Sequence, residues 1–154
     1  MKLKKVILTA AATAFILQAS AYAADLTASY SMDDMTGLTY IGTVSNILGQ
    51  KNNAVEFNGG SATLSQFPLS DNFTVSAWIK PSGLTSWERV FDFGSDQKNY
   101  IFLTVNNGNG YPRLAVKYNN QKEQNITSSV SLNKNVWSYV TVTMKDNKAT
   151  MYQY

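Results

Sequence analysis

Trp78, Trp137 and Tyr139 occupy positions from which a β-strand would show an aromatic ring opposite its aliphatic side. In the run Phe73-Thr-Val-Ser-Ala-Trp-Ile-Lys-Pro81, Phe73, Val75, Ala77 and Ile79 alternate with Thr74, Ser76, Trp78 and Lys80. Period-two alternation predicts a strand with one face on a core. Pro81 cannot donate to a ladder and ends it. Trp137 and Tyr139 alternate in the same way with Val140 and Val142. Rings in such places can stack on the C–H face of a sugar while hydroxyls take hydrogen bonds around the edge. The alternative is that they fill a second small core beneath long loops, since Trp is usually largely buried.

A second group is polar. With Phe91 and Phe93 facing the core, Asp92 and Glu88 face the other way, close to Trp87 and Arg89. The group reads either as a polar floor for a ligand's hydroxyls or as an arginine–carboxylate pair tying two strands, individually weak at a surface. Asp33, Asp34 and the loop Asp96-Gln97-Lys98-Asn99 offer hard oxygen ligands. Calcium takes six to eight oxygens from carboxylates, carbonyls and water, so Asp33 and Asp34 are the candidate calcium ligands, against solvated loop polarity as the alternative.

Catalysis finds less support. Glycoside hydrolysis needs two carboxyl groups at a set separation. Glu88 and Asp92, four residues apart on one strand face, would lie about 13 Å apart, beyond the retaining and the usual inverting distances. The chain has no His and no Cys. That excludes Ser-His-Asp and Cys-His nucleophilic sites, ordinary zinc sites and disulfides. No catalytic residues are expected.

The elements that must position these groups read as strands. Short strand-like runs are predicted at residues 26–31, 54–57, 62–65, 73–80, 89–93, 100–105, 114–118, 137–144 and 149–154. Weaker ones lie near 39–44 and 124–127. Asn58-Gly59-Gly60 between the second and third runs is a hairpin signal. Asn106-Asn107-Gly108-Asn109-Gly110 and Asp146-Asn147 are turns rich in residues that accept positive φ. Many short strands at regular spacing predict an all-β antiparallel sandwich. Asn72-Phe-Thr74 and Asn125-Ile-Thr127 match the N-glycosylation pattern, which recurs by chance in an Asn-rich chain.

Residues 1–23 are predicted to be a secretory signal. Lys2, Lys4 and Lys5 precede an apolar run, and Ala21-Tyr22-Ala23 is a small-x-small cleavage site. Those three lysines account for the whole net charge of +3. The remainder, about 130 residues and enough for one domain, is near neutral. The basic balance is therefore no argument for nucleic acid or a membrane surface, and no later apolar run is long enough to span a bilayer.

Several segments together resemble the laminin-G-like, concanavalin A-like jelly rolls of secreted bacterial proteins. They are Phe73-Thr-Val-Ser-Ala-Trp-Ile-Lys-Pro81, Trp87-Glu-Arg-Val-Phe-Asp-Phe-Gly94, Asn99-Tyr-Ile-Phe-Leu-Thr104, Arg113-Leu-Ala-Val-Lys117 and Trp137-Ser-Tyr-Val-Thr-Val-Thr143. Order and spacing agree across residues 26–154. In the last segment Tyr139 stands where the family usually has His. The resemblance implies a jelly-roll sandwich over residues 24–154, of a kind often attached to glycoside hydrolases. It implies a secreted, non-catalytic carbohydrate-binding module, with Trp78, Asp92, Trp137 and Tyr139 meeting a polysaccharide or glycan. The Glu-x-Asp-x-(x)-Glu string of glucanases sharing the sandwich does not occur here. The rival readings are part of a secreted glycoside hydrolase and a surface adhesion or protein-interaction domain. Family members usually continue with closing strands after the segment matching residues 150–154. The resemblance thus implies a sandwich lacking its last strands, with apolar side chains uncovered near Leu26, Tyr30 and residues 151–154.

Overall fold

The computed structural model describes residues 26–64 and 69–154. The expected signal segment, residues 1–23, lies outside them. Among the described residues there is no helix, hence none long and apolar enough to cross a membrane. The chain divides into two compact units. One holds the residues up to Trp78 together with Thr141–Lys148; the other holds Ile79–Val140 and Ala149–Tyr154.

In the first unit a long antiparallel hairpin dominates. β1 (Thr39–Ile41) pairs with β4 (Ser61–Thr63), and β2 (Val44–Leu48) pairs with β3 (Asn53–Phe57). Gly49 N–H donates to the Asn52 carbonyl at 2.8 Å and closes the turn. Asn58-Gly59-Gly60 is therefore not a hairpin turn, as its composition suggested. Ile41 faces Ser61 while Asn58 N–H bonds the Thr43 carbonyl at 2.9 Å, so one arm carries an extra residue, which is a β-bulge. Only glycine fits there. A Cβ on Gly42, whose φ is +79°, would lie 2.7 Å from the Gly59 carbonyl oxygen. One on Gly60 would lie 2.7 Å from that of Thr43.

The expected first strand, residues 26–31, is not a strand: it has no ladder partner among the described residues. Alternation favours an extended chain, but a strand also needs a neighbour to satisfy its backbone groups. Leu26 is exposed, Tyr30 half-buried.

β5 (Phe73–Ile79), β10 (Ser138–Lys145) and β11 (Lys148–Gln153) form a sheet of order β11-β10-β5. Asp146 and Asn147, both with positive φ, make the β10–β11 turn. Phe73, Val75 and Val142 are buried, as the alternation requires. Ser76, on the other side of β5, is buried too. β5 is therefore covered on both faces, whereas alternation alone had predicted one.

The second unit is built on the antiparallel sheet β6 (Arg89–Asp96), β7 (Asn99–Thr104), β8 (Arg113–Lys117) and β9 (Gln124–Thr127), in that order. Phe91, Ile101, Leu103 and Leu114 bury one face. Burial at about 25 cal/mol per Å² of apolar surface is what holds such a sheet to its core. The opposite face carries Asp92, Tyr100, Phe102, Thr104, Arg113, Ala115 and Lys117, by register, and Phe102, Thr104 and Ala115 are buried there too.

Candidate ligand-binding face on the four-stranded sheet

The side chains with most chemistry gather on this opposite face, and a second β-bulge puts them there. Strict alternation would send Arg89 and Asp92 to opposite sides of β6. The ladder shifts register between Arg89 and Phe91, which returns Arg89 to the side of Asp92. Arg89 Nε then donates to Asp92 Oδ2 at 3.2 Å. Its guanidinium lies 3.7 Å from the centre of the Phe102 ring, and one terminal nitrogen donates to the Trp87 carbonyl at 2.9 Å. The Arg–carboxylate alternative is thus half right: the pair exists, but within one strand rather than between two.

Arg89, Asp92, Gly94, Asp96, Gln97, Tyr100 and Phe102 line an open recess of ≈ 500 Å³, in the size range of ligand sites. Gly94 keeps it clear, for a Cβ there would press on Tyr100 at 3.0 Å and approach Asp92 Oδ1 at 3.5 Å. The Tyr100 and Phe102 rings stack with centres 5.6 Å apart. Tyr100 donates its hydroxyl to Glu123 Oε2 at 2.6 Å. The other oxygen of Glu123 takes an ion pair from Arg113. The bond to Glu123, helped by burial, pushes the Tyr100 hydroxyl above the usual tyrosine range. Asp96 Oδ1 accepts from the backbone N–H of Lys98 at 2.7 Å and of Asn99 at 2.8 Å. These donors, Lys98 first, hold its carboxyl below the ordinary aspartate value. Asp96 is therefore a turn-forming carboxylate, not a group poised to deliver a proton.

Trp87 stands beside this face at 46% exposure. Its φ is +67°, and Leu84, three residues earlier, has φ +53°. Bulky residues rarely adopt this region, at about 1–3 kcal/mol each, and hold it only where the surroundings enforce it. Asn106 is the enforcer. Its carbonyl accepts Trp87 N–H at 2.7 Å, and its side-chain amide donates to the Leu84 carbonyl at 2.8 Å. Asn106 Oδ1 meanwhile accepts from Gly108 and Gly110, both at 2.8 Å. Thr104 Oγ1 and Val105 N–H both donate to the Glu88 carbonyl. The Arg113 guanidinium lies 5.8 Å from the indole centre. The result is an exposed Trp87 whose backbone is fixed by hydrogen bonds and whose carbonyl is held by Arg89, the residue at one end of a recess of carboxylate, guanidinium, amide and phenol groups. Such a set offers an apolar plane and both donors and acceptors, which suits hydroxyl-rich rings.

The four residues expected from sequence do not share one sheet. Asp92 is on β6 at the recess. Trp78 is on β5, Tyr139 on β10, and Trp137 immediately precedes β10. All three aromatics are half-buried. Lys80 Nζ lies 5.3 Å from the Trp137 ring centre, so one face of that indole already holds a cation. Tyr139 pairs with Tyr154 through backbone bonds of 2.8 and 2.9 Å. Trp87 and Arg89 were legible as residue types. What periodicity does not encode is their placement, set by the positive φ of Trp87 and the bulge after Arg89.

Asp33 and Asp34 are adjacent but engaged by protein donors. Asp34 Oδ1 accepts from the Thr36 hydroxyl at 2.6 Å and its N–H at 2.9 Å, which lowers the Asp34 carboxyl pKa. The Asp33 carbonyl accepts from the Asn46 amide at 2.9 Å, and Asp33 Oδ2 from Asn52 at 3.4 Å. Among the described residues no three acidic side chains group together.

Comparison with known proteins follows the same line. Residues 49–153 match the family model Laminin_G_3, described as the concanavalin A-like lectin/glucanases superfamily. No curated protein matches. Among solved structures the chain is similar to domain 4 of AbnA, a GH43 extracellular arabinanase from Geobacillus stearothermophilus, in complex with arabinotriose. The TM-score is 0.67 at 20% identity, over 79% of this chain and 65% of that one. At that identity the likeness is one of fold.

Proposed function

The chain belongs to the concanavalin A-like lectin/glucanases superfamily, and from that premise we propose that it is a secreted, non-catalytic module that binds a glycan on the outer face of β6–β9. The observation that carries this reading is the exposed, conformationally enforced Trp87 beside the Arg89–Asp92 recess. Trp87 stacks on one sugar unit of an extended chain, while Arg89, Asp92 and Gln97, spread along β6, exchange hydrogen bonds with the hydroxyls of further units. The lowered pKa of Asp96 speaks against that residue as a general acid. That a domain of similar fold occurs in complex with arabinotriose in an extracellular arabinanase supports a glycan ligand and an extracellular setting.

The test is an array of plant, bacterial and animal glycans, followed by titration calorimetry on any hit. Trp87→Ala should weaken binding by about 1 kcal/mol, the scale of an aromatic stacking contact, with the melting temperature little changed. Trp137→Ala is the companion variant. If the sugar instead stacks on Trp137, that variant weakens binding and Trp87→Ala does not. A folded chain that binds no glycan on the array overturns the reading.

A further inference from the structure

We infer that the recess selects neutral glycans and rejects those carrying carboxylate or sulfate groups, an inference that rests on the glycan-binding reading above. Its charged lining is one guanidinium, Arg89, and two carboxylates, Asp92 and Asp96. The guanidinium is already committed. Asp92 holds its Nε, the Trp87 carbonyl holds one terminal nitrogen, and the Phe102 ring packs against its plane. An incoming anion therefore finds no uncompensated cation in the lining and meets two carboxylates. The other cations of this region are outside the lining. Arg113 is paired with Glu123, Lys98 is in the turn beside Asp96, and Lys117 faces Tyr100 across the β7–β8 ladder.

A neutral sugar fits the same groups without penalty. One hydroxyl of a vicinal pair donates to Asp92, and its neighbour accepts from the remaining N–H groups of Arg89. Gln97 serves as donor and acceptor at the rim. Replacing such a hydroxyl by a carboxylate removes a donor from Asp92 and sets two like charges together, which costs far more than a lost neutral contact.

The experiment titrates the full chain with two sets of probes. The neutral set is arabinotriose, xylotriose, cellotriose and galactotriose; the acidic set is trigalacturonate and the β-1,4-glucuronic acid trimer. At least one neutral trisaccharide should bind, with an affinity that barely changes between low and high salt. Both acidic trimers should bind at least about tenfold more weakly. Asp92→Asn should narrow that gap. An acidic trimer that binds as well as or better than every neutral one, losing affinity with salt or in Lys117→Met, overturns the inference and leaves the glycan-binding reading standing. Failure of both sets to bind, with no glycan bound on the array, overturns the two together.

Discussion

At the residue scale the Asp92 face of the four-stranded sheet holds two ion pairs. Arg89 with Asp92 and Arg113 with Glu123 are partly exposed pairs, of a kind worth little to stability individually. Their effect is positional, for each fixes a neighbour: Arg89 holds the Trp87 carbonyl and covers Phe102, and Glu123 holds Tyr100. The Tyr100 hydroxyl carries a measurable signature. Its pKa is raised, chiefly because the neutral hydroxyl donates to Glu123. A raised folded-state pKa means that the stabilisation is fully present below the unfolded tyrosine value near 10 and is lost as pH rises through the higher folded value. An absorbance titration should show Tyr40, raised by burial, and Tyr100 ionising late, and Tyr100→Phe should remove one of these two late components. If the amplitude that the variant loses lies in the ordinary tyrosine range, the Tyr100–Glu123 bond does not form in solution.

At the element scale, bulges and turns decide where side chains point. The bulge at Gly42 and Gly59-Gly60 lets one long hairpin continue through a register change. Gly60→Ala would drive a methyl group into the Thr43 and Ile41 carbonyl oxygens. It should cost about 1–3 kcal/mol in denaturant unfolding, as overpacking generally does. Gly83→Ala, whose Cβ would meet Thr85 Oγ1 at 3.5 Å, is the control and should change stability by less than about 0.5 kcal/mol. Equal effects would show that the bulge yields easily. The β6–β7 turn makes an acid prediction. Asp96 is depressed by the Lys98 and Asn99 amides, so its contribution is present above the ordinary aspartate value and is lost as pH falls through the lower folded one. The Lys98 and Asn99 amide resonances should shift together in that acid window, and Asp96→Asn should abolish the shift. Amides that titrate at the ordinary aspartate value would contradict the turn geometry.

At the scale of the whole molecule, calcium is the open electrostatic question. The expectation of calcium at Asp33 and Asp34 commits to a result, because a ligand preferring the native state stabilises it by mass action. Calcium should raise the melting temperature above that in chelator, and Asp34→Asn should abolish the difference. An unchanged melting temperature retires the expectation, leaving Thr36, Asn46 and Asn52 as the partners of these two residues. Much of the fold was legible in the residues themselves. Alternation and turn composition located β5 to β11 within a residue or three of their observed ends, because side-chain period and positive-φ preference are local properties. The superfamily was legible from the order of the same strands. What only the tertiary structure decided were the non-local matters. Residues 26–31 alternate like a strand but have no ladder partner among the described residues, and Asn58-Gly59-Gly60 looks like a turn but is a bulge. Asp92 is on a different sheet from Trp78 and Tyr139, which strand parity alone does not reveal. Pairing register is set between strands and not within one, so a single shift between Arg89 and Phe91 determines which side chains share the recess.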